Sequence, residues 1–193
     1  MDTLTKSPAE KFPLYFNFSM DMIAGETIAT KALTCWNAAT GVDSSATIVD
    51  SSAIASPDVK VVVKAGTEDD EHLIQCIVVT SNGNTYQRDL LLRIQSVVDD
   101  SFTKQPDDAF LFDVDYTRRL ESGDTVVSAV ISAIKESDGS AASVTSTPAI
   151  VTPKVGVPTY GGTDGETYRL GVRGTTALGY LYEKFVRMSV QEF

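Results

Sequence analysis

The side chains able to do chemistry in this 193-residue chain are few, and their spacing limits what they can do. His72 is the only histidine, so any Ser-His-Asp or Cys-His arrangement has a single available base. It stands beside a charged turn, where an amphipathic residue at a strand edge is the plainer reading. Cys35 and Cys76 are the only thiols, and two thiols with one imidazole fall short of a transition-metal site. Glu68-Asp69-Asp70-Glu71 and Asp164-Gly165-Glu166 offer the oxygen ligands a calcium ion takes, but such runs are more often solvated turns. Gly161-Gly162 with Gly165 lacks the Lys-Ser/Thr ending of a phosphate loop and has no helix after it, which leaves a turn. These residues call for no cofactor and no metal, and they assemble no catalytic set.

The elements that carry these residues occur twice. Shifting the chain by 96 positions sets Ser44–Gln95 against Ser140–Gln191 without a gap, and thirteen of the fifty-two pairs are identical. Among them are Pro57/Pro153, Val59/Val155, Val61/Val157, Gly66/Gly162, Gly83/Gly179 and Tyr86/Tyr182. A duplication of this length makes the chain two copies of one module. The second copy replaces every singular reactive residue: Cys35 becomes Ala133, Trp36 Ile134, His72 Tyr168 and Cys76 Val172. The repeat keeps turns and valines and discards chemistry.

The charge is duplicated as well. Residues 1–96 hold seven Lys/Arg against twelve Asp/Glu, and residues 97–193 hold nine against fourteen, for a net charge of −10. An evenly acidic surface is a poor match for nucleic acid, which needs a basic stripe to displace counterions. No apolar run approaches the roughly twenty residues of a membrane span, and the first twenty residues lack a signal-peptide pattern. The expectation is a soluble protein whose partners are neither nucleic acid nor membrane.

Strand and turn signals arrive about every ten residues, with no sustained helical period. Residues 1–12 read as an extended or mobile leader. Leu14–Phe18 alternates as a strand, and its counterpart lies in Phe110–Tyr116. Ala24-Gly25-Glu26-Thr27-Ile28 and Ser122-Gly123-Asp124-Thr125-Val126 match at an offset of 98 and read as a turn entering a strand. The Ser/Thr/Ala-rich middle of each copy reads as short strands, with Ile48/Val144 and Ile54/Ile150 at fixed places. Pro158, opposite Val62, predicts an edge strand in copy two. In His72–Thr80 the inward residues should be Ile74, Cys76 and Val78, matched by Leu170 and Val172. Ser81-Asn82-Gly83-Asn84 suits a primed hairpin turn, and the Tyr-x-Arg/Lys opening of the last strand suggests a bulge. Seven or so strands per copy predict an all-β protein of two tandem immunoglobulin-like β-sandwich domains, residues 13–95 and 109–193, joined by an aspartate-rich, solvated linker, 96–108.

Phe-x-Val-Asp-Tyr-Thr-x-x-Leu-x-x-Gly-Asp-Thr-Val at 112–126, followed by Gly-Gly-Thr-x-Gly-x-Thr-Tyr-Arg-Leu at 161–170, resembles the small Ig-like bacteriophage proteins known as fibre-tail adaptors. Trp36, and Thr80-Ser81-Asn82-Gly83 leading into the last strand, fit the same pattern. The resemblance implies a non-enzymatic virion protein, assembled in the host cytoplasm, that joins tail or neck proteins to a fibre or other appendage. It also implies multiple copies in a symmetric assembly. An alternative with the same fold is a capsid-decorating or host-surface protein that binds glycans or receptors through exposed rings such as Tyr160, Tyr180 and Tyr182. The candidate partner-binding residues are those where the copies diverge or rings are offered: the Asn37–Asp43 loop, Val62, Pro158, Tyr160 and Tyr180. Cys35 and Cys76 would fall on strands B and F of an Ig sandwich, where the spacing fits an inter-sheet disulfide. Two buried, reduced thiols are the other reading, favoured by cytoplasmic assembly.

Overall fold

The structure is a computed structural model describing residues 1–193. Contacts divide it into two units, Met1–Ser96 and Val97–Phe193. In the first unit the strands are β1 (Asp2–Lys6), β2 (Phe12–Asn17), β3 (Ile28–Asn37), β4 (Val49–Ala55), β5 (Asp58–Val63), β6 (Glu71–Thr80) and β7 (Thr85–Ile94). One short helix, α1 (Ser45–Ile48), precedes β4. The strands form two sheets, ordered β1-β7-β6-β3 and β2-β5-β4. Lettered A to G along the chain, these are the A-G-F-C and B-E-D sheets of an immunoglobulin-like sandwich, with strand A parallel to strand G.

The second unit repeats this order with β8 (Val98–Lys104), β9 (Phe110–Asp115), β10 (Val126–Lys135), β11 (Ala149–Val151), β12 (Lys154–Thr159), β13 (Thr167–Thr176) and β14 (Leu181–Val190). Its sheets are ordered β10-β13-β14-β8 and β11-β12-β9. The protein is all-β, two tandem Ig-like sandwiches.

Period-two alternation fills each core. Phe12, Leu14 and Phe16 on β2 face Ile74, Cys76 and Val78 on β6, all buried, while the residues between them turn outward. In the second unit Leu170 and Val172 are fully buried and Arg173 is exposed. Of the apolar pairs that recur in the middle of each copy, Ile48 and Val144 are core residues, whereas Ile54 and Ile150 are exposed.

Several sequence expectations give way. Residues 1–12 are no free leader: Leu4 and its neighbours form β1 against β7, and Lys6 and Glu10 are buried. The solvated linker is equally part of a fold, since Val98–Lys104 is β8, paired in parallel with β14. Both segments look polar because each strand buries only one face and ends on a charged residue. The middle of copy one contains the α1 turn before β4, and in copy two only three residues remain as β11.

Pro158 lies on β12, the central strand of its sheet, not on an edge. Its carbonyl accepts from Ser146 N–H at 3.3 Å, so its ring nitrogen faces the side where β11 has already stopped, and no ladder donor is missed. Thr80 to Gly83 is a turn closed by Gly83 N–H to Thr80 O at 2.9 Å, with positive φ at Gly83 alone. A primed turn would need it at Asn82 too. The β6–β7 register runs without interruption through Tyr86; the irregularities sit instead at the start of β3, β4, β8 and β10.

Candidate functional site

The reactive residues of the first unit gather at one end of its core. Cys35 on β3 lies opposite Ile74 and Cys76 on β6 opposite Leu33, so the thiols are diagonal neighbours within one sheet. This corrects the expected B and F placement: they occupy strands C and F, on the same side of the sandwich. A cross-strand diagonal spans about 7–8 Å between Cα atoms, beyond the usual reach of a disulfide. Both are buried and free, and burial pushes the Cys76 thiol up to about 11 and raises that of Cys35.

His72 is buried beside them. Ser44 Oγ lies 2.9 Å from its Nδ1 and 3.4 Å from Cys35 Sγ. Asp70 stands 4.0 Å from Nε2, beyond hydrogen-bond reach, and that nitrogen has no partner. Burial lowers the pKa of the ring, and the Asp70 charge only partly opposes this. The constellation has the residue types of a triad and its Ser–His contact, but not the His–Asp hydrogen bond that would orient the ring. In the second unit Tyr168 takes the place and accepts from Thr163 N–H at 3.0 Å.

The acidic loops are occupied with closing each module. Glu68 accepts from Ser96 N–H and Oγ at 2.7 and 2.8 Å, and Asp164, its equivalent, accepts from Glu192 N–H at 2.8 Å. Glu71 pairs with Arg93, and Glu166 with Lys135. Each of these four carboxylates therefore has its own protein partner.

Among the candidate partner-binding residues, Asn37 and Asp43 belong to a loop closed on itself. Asn37 Oδ1 accepts from the Ala39 and Thr40 N–H groups at 3.0 Å, and Asp43 Oδ1 accepts from Ser45 N–H at 2.8 Å. Val62 is buried on the central strand β5. Tyr180 and Tyr182 are buried too, and burial lifts the pKa of Tyr182 above its ordinary value. Of the three candidate tyrosines only Tyr160 is exposed, with its hydroxyl donating to Thr145 O at 3.0 Å.

One repeated cluster escaped the sequence reading. Lys104 is buried at the end of β8, and its Nζ donates to the carbonyls of Gly161 and Gln105, both at 2.6 Å. Lys6 does the same at the end of β1, reaching Ala65 O and, at 2.7 Å, Ser7 O. Asp108 then accepts from Gln105 N–H and Glu10 from Ser7 N–H, each at 2.9 Å. The offset of 98 already visible at Gly25/Gly123 aligns these residues as Lys6-x-Pro-x-Glu10 and Lys104-x-Pro-x-Asp108. Extending that offset toward the N-terminus would have found them.

A family model described as Podophage GP4 fiber-tail adaptor protein gp77 matches residues 6–93 and again residues 104–189. No curated protein sequence matches significantly. Similar solved structures include a chimeric titin Z1Z2 carrying a decorin KLER peptide, at 9% identity over 100% of this chain and 94% of that one, with a TM-score of 0.36. Titin domains Z1Z2 in complex with telethonin are 11% identical over 98% of this chain and 91% of that one, with a TM-score of 0.30. The fold assignment stands on the strand order described above.

Proposed function

From the chain's membership of the podophage fibre-tail adaptor family, to which it belongs in both of its repeats, we propose that it joins tail or neck proteins to a fibre or other appendage within the virion. The observation that carries this reading is what the duplication retains. Both units keep the seven-strand sandwich, the buried lysine and the turn glycines, and the second keeps none of the reactive groups of the first. A scaffold copied without its thiols or imidazole has connection as its task, and we read it as non-enzymatic. The binding surfaces are the polar loops and edge strands, and a tail setting supplies many copies in symmetric array.

The glycan-binding alternative loses support from the burial of Tyr180 and Tyr182, since a sugar platform needs rings facing water. The test is pairwise binding of the full chain to purified tail, neck and fibre proteins from the same particle. Adaptor function predicts specific binding to at least two of them, and binding to none would overturn it.

A further inference from the structure

The two units share a fold but not the chemistry of their free edges. β3 and β10 are the outer strands of the four-stranded sheets and have the same pattern of burial along ten residues. In the first unit Lys31 points from this edge into the sandwich, its Nζ 2.5 Å from Ser52 Oγ on β4 of the facing sheet. An inward-pointing charge on an edge strand is a device that blocks pairing with another chain. The second unit has removed it. At the offset of 98, Lys31 becomes Ala129, Ala29 becomes Val127 and Ala32 becomes Val130, and Val127 and Val130 are 56% and 57% exposed. The neighbouring strand has shortened from seven residues in β4 to three in β11.

The backbone at this edge is open. Ala133 O and Lys135 N–H point outward and are taken by Ala142 and Ser140 of the following loop. By strand alternation the N–H and C=O groups of Ala129 and Ile131 point the same way, and no backbone partner takes them.

We infer that this edge pairs antiparallel with the same edge of a second copy of the chain, about a two-fold axis at Val130. Ala129 of each copy then exchanges hydrogen bonds with Ile131 of the other, and Val130 meets its counterpart in the close, non-hydrogen-bonded position. The charge pattern selects this occupant. The chain is strongly acidic, so copies repel over most of their surface, but residues 126–134 carry no charge at all. In this register residues 126–134 of one copy pair only with residues 126–134 of the other, so no charged residue enters the paired stretch; Asp124 falls opposite Glu136 beyond it, where the following loop already takes the edge. An isologous contact of this kind is self-complementary by construction. It is independent of the adaptor reading, because it is observable in purified protein.

Sedimentation velocity of the full chain, over about a hundredfold range of concentration, tests it. The wild type should move from monomer to dimer, and Ala129→Lys, which installs the residue of the first unit, should remain a folded monomer by circular dichroism and weaken association at least about tenfold. Val130→Cys should form an interchain disulfide under mild oxidation, whereas Ala32→Cys, at the equivalent place on β3, should not. The inference is overturned by a wild type that stays monomeric throughout, by an Ala129→Lys variant that dimerises like the wild type, or by equal crosslinking at both positions. If Ala129→Lys fails to fold, the cysteine pair decides.

Discussion

Lys104 Nζ donates to the carbonyl of Gly161 at 2.6 Å, and Lys6 makes the same bond to Ala65 O in the other unit. The lysine ends strand A, and the carbonyl belongs to a left-handed residue, φ +56° at Gly161 and +47° at Ala65. A buried ammonium is tolerated because it gathers several carbonyls, and its removal leaves them unsatisfied. Lys104→Met should therefore destabilise the second unit by about 2–4 kcal/mol, and Lys6→Met the first by a similar amount. Chemical denaturation followed unit by unit checks this. An unchanged midpoint in either variant would contradict the structural role given to the lysine.

Gly162→Ala should cost about 1–3 kcal/mol, since the backbone has φ +106° and a Cβ would lie 2.7 Å from Val190 Cγ2. Gly66→Ala meets Ile94 at 2.8 Å in the same way. Gly179→Ala has open space and suffers only from its φ of +79°, so the thermal midpoint should fall less than for Gly162→Ala.

The thiols should stay reduced in folded protein. Burial pushes Cys76 up to about 11 and raises Cys35, which keeps both as thiols at neutral pH. Alkylation without reductant should label neither in the native state and both after unfolding. A disulfide in the unfolded sample would contradict the diagonal placement on one sheet.

His72 predicts an acid-sensitive step in the first unit. Burial lowers its folded pKa below the ordinary 6.5, so the unfolded chain binds the proton more readily. Its neutral-state stability is full above pH about 6.5 and is lost as pH falls through the lowered folded value. His72→Phe should flatten the first unit's unfolding midpoint across that window. If the variant and wild type respond to pH identically, the buried ring is not the sensor.

Much of this architecture is legible from residue pattern. The alternation in His72–Thr80 fixed the inward residues, because a strand covered on one face has only one way to sort Ile74, Cys76 and Val78 from their neighbours. The outer strands escaped notice for the complementary reason. Asp2–Lys6 and Val98–Lys104 bury little apolar surface and are held by parallel pairing with β7 and β14, a long-range relationship with no local signature. Pro158 misled because proline reports which side lacks a donor, not how many neighbours a strand has. The cysteines were separated by the right distance along the chain but on the wrong strand, since 41 residues do not distinguish strand B from strand C. The edge of β10 became informative only when set beside β3, with Lys31 and Ala129 in the same structural place.

The central claim, that this is a virion adaptor, is tested most directly by a cryo-electron microscopy map of the intact particle. The account predicts density for paired seven-stranded sandwiches where the tail or neck meets a fibre or appendage, repeated with the symmetry of that junction. Finding the chain only on the capsid surface, or absent from the particle, would contradict it.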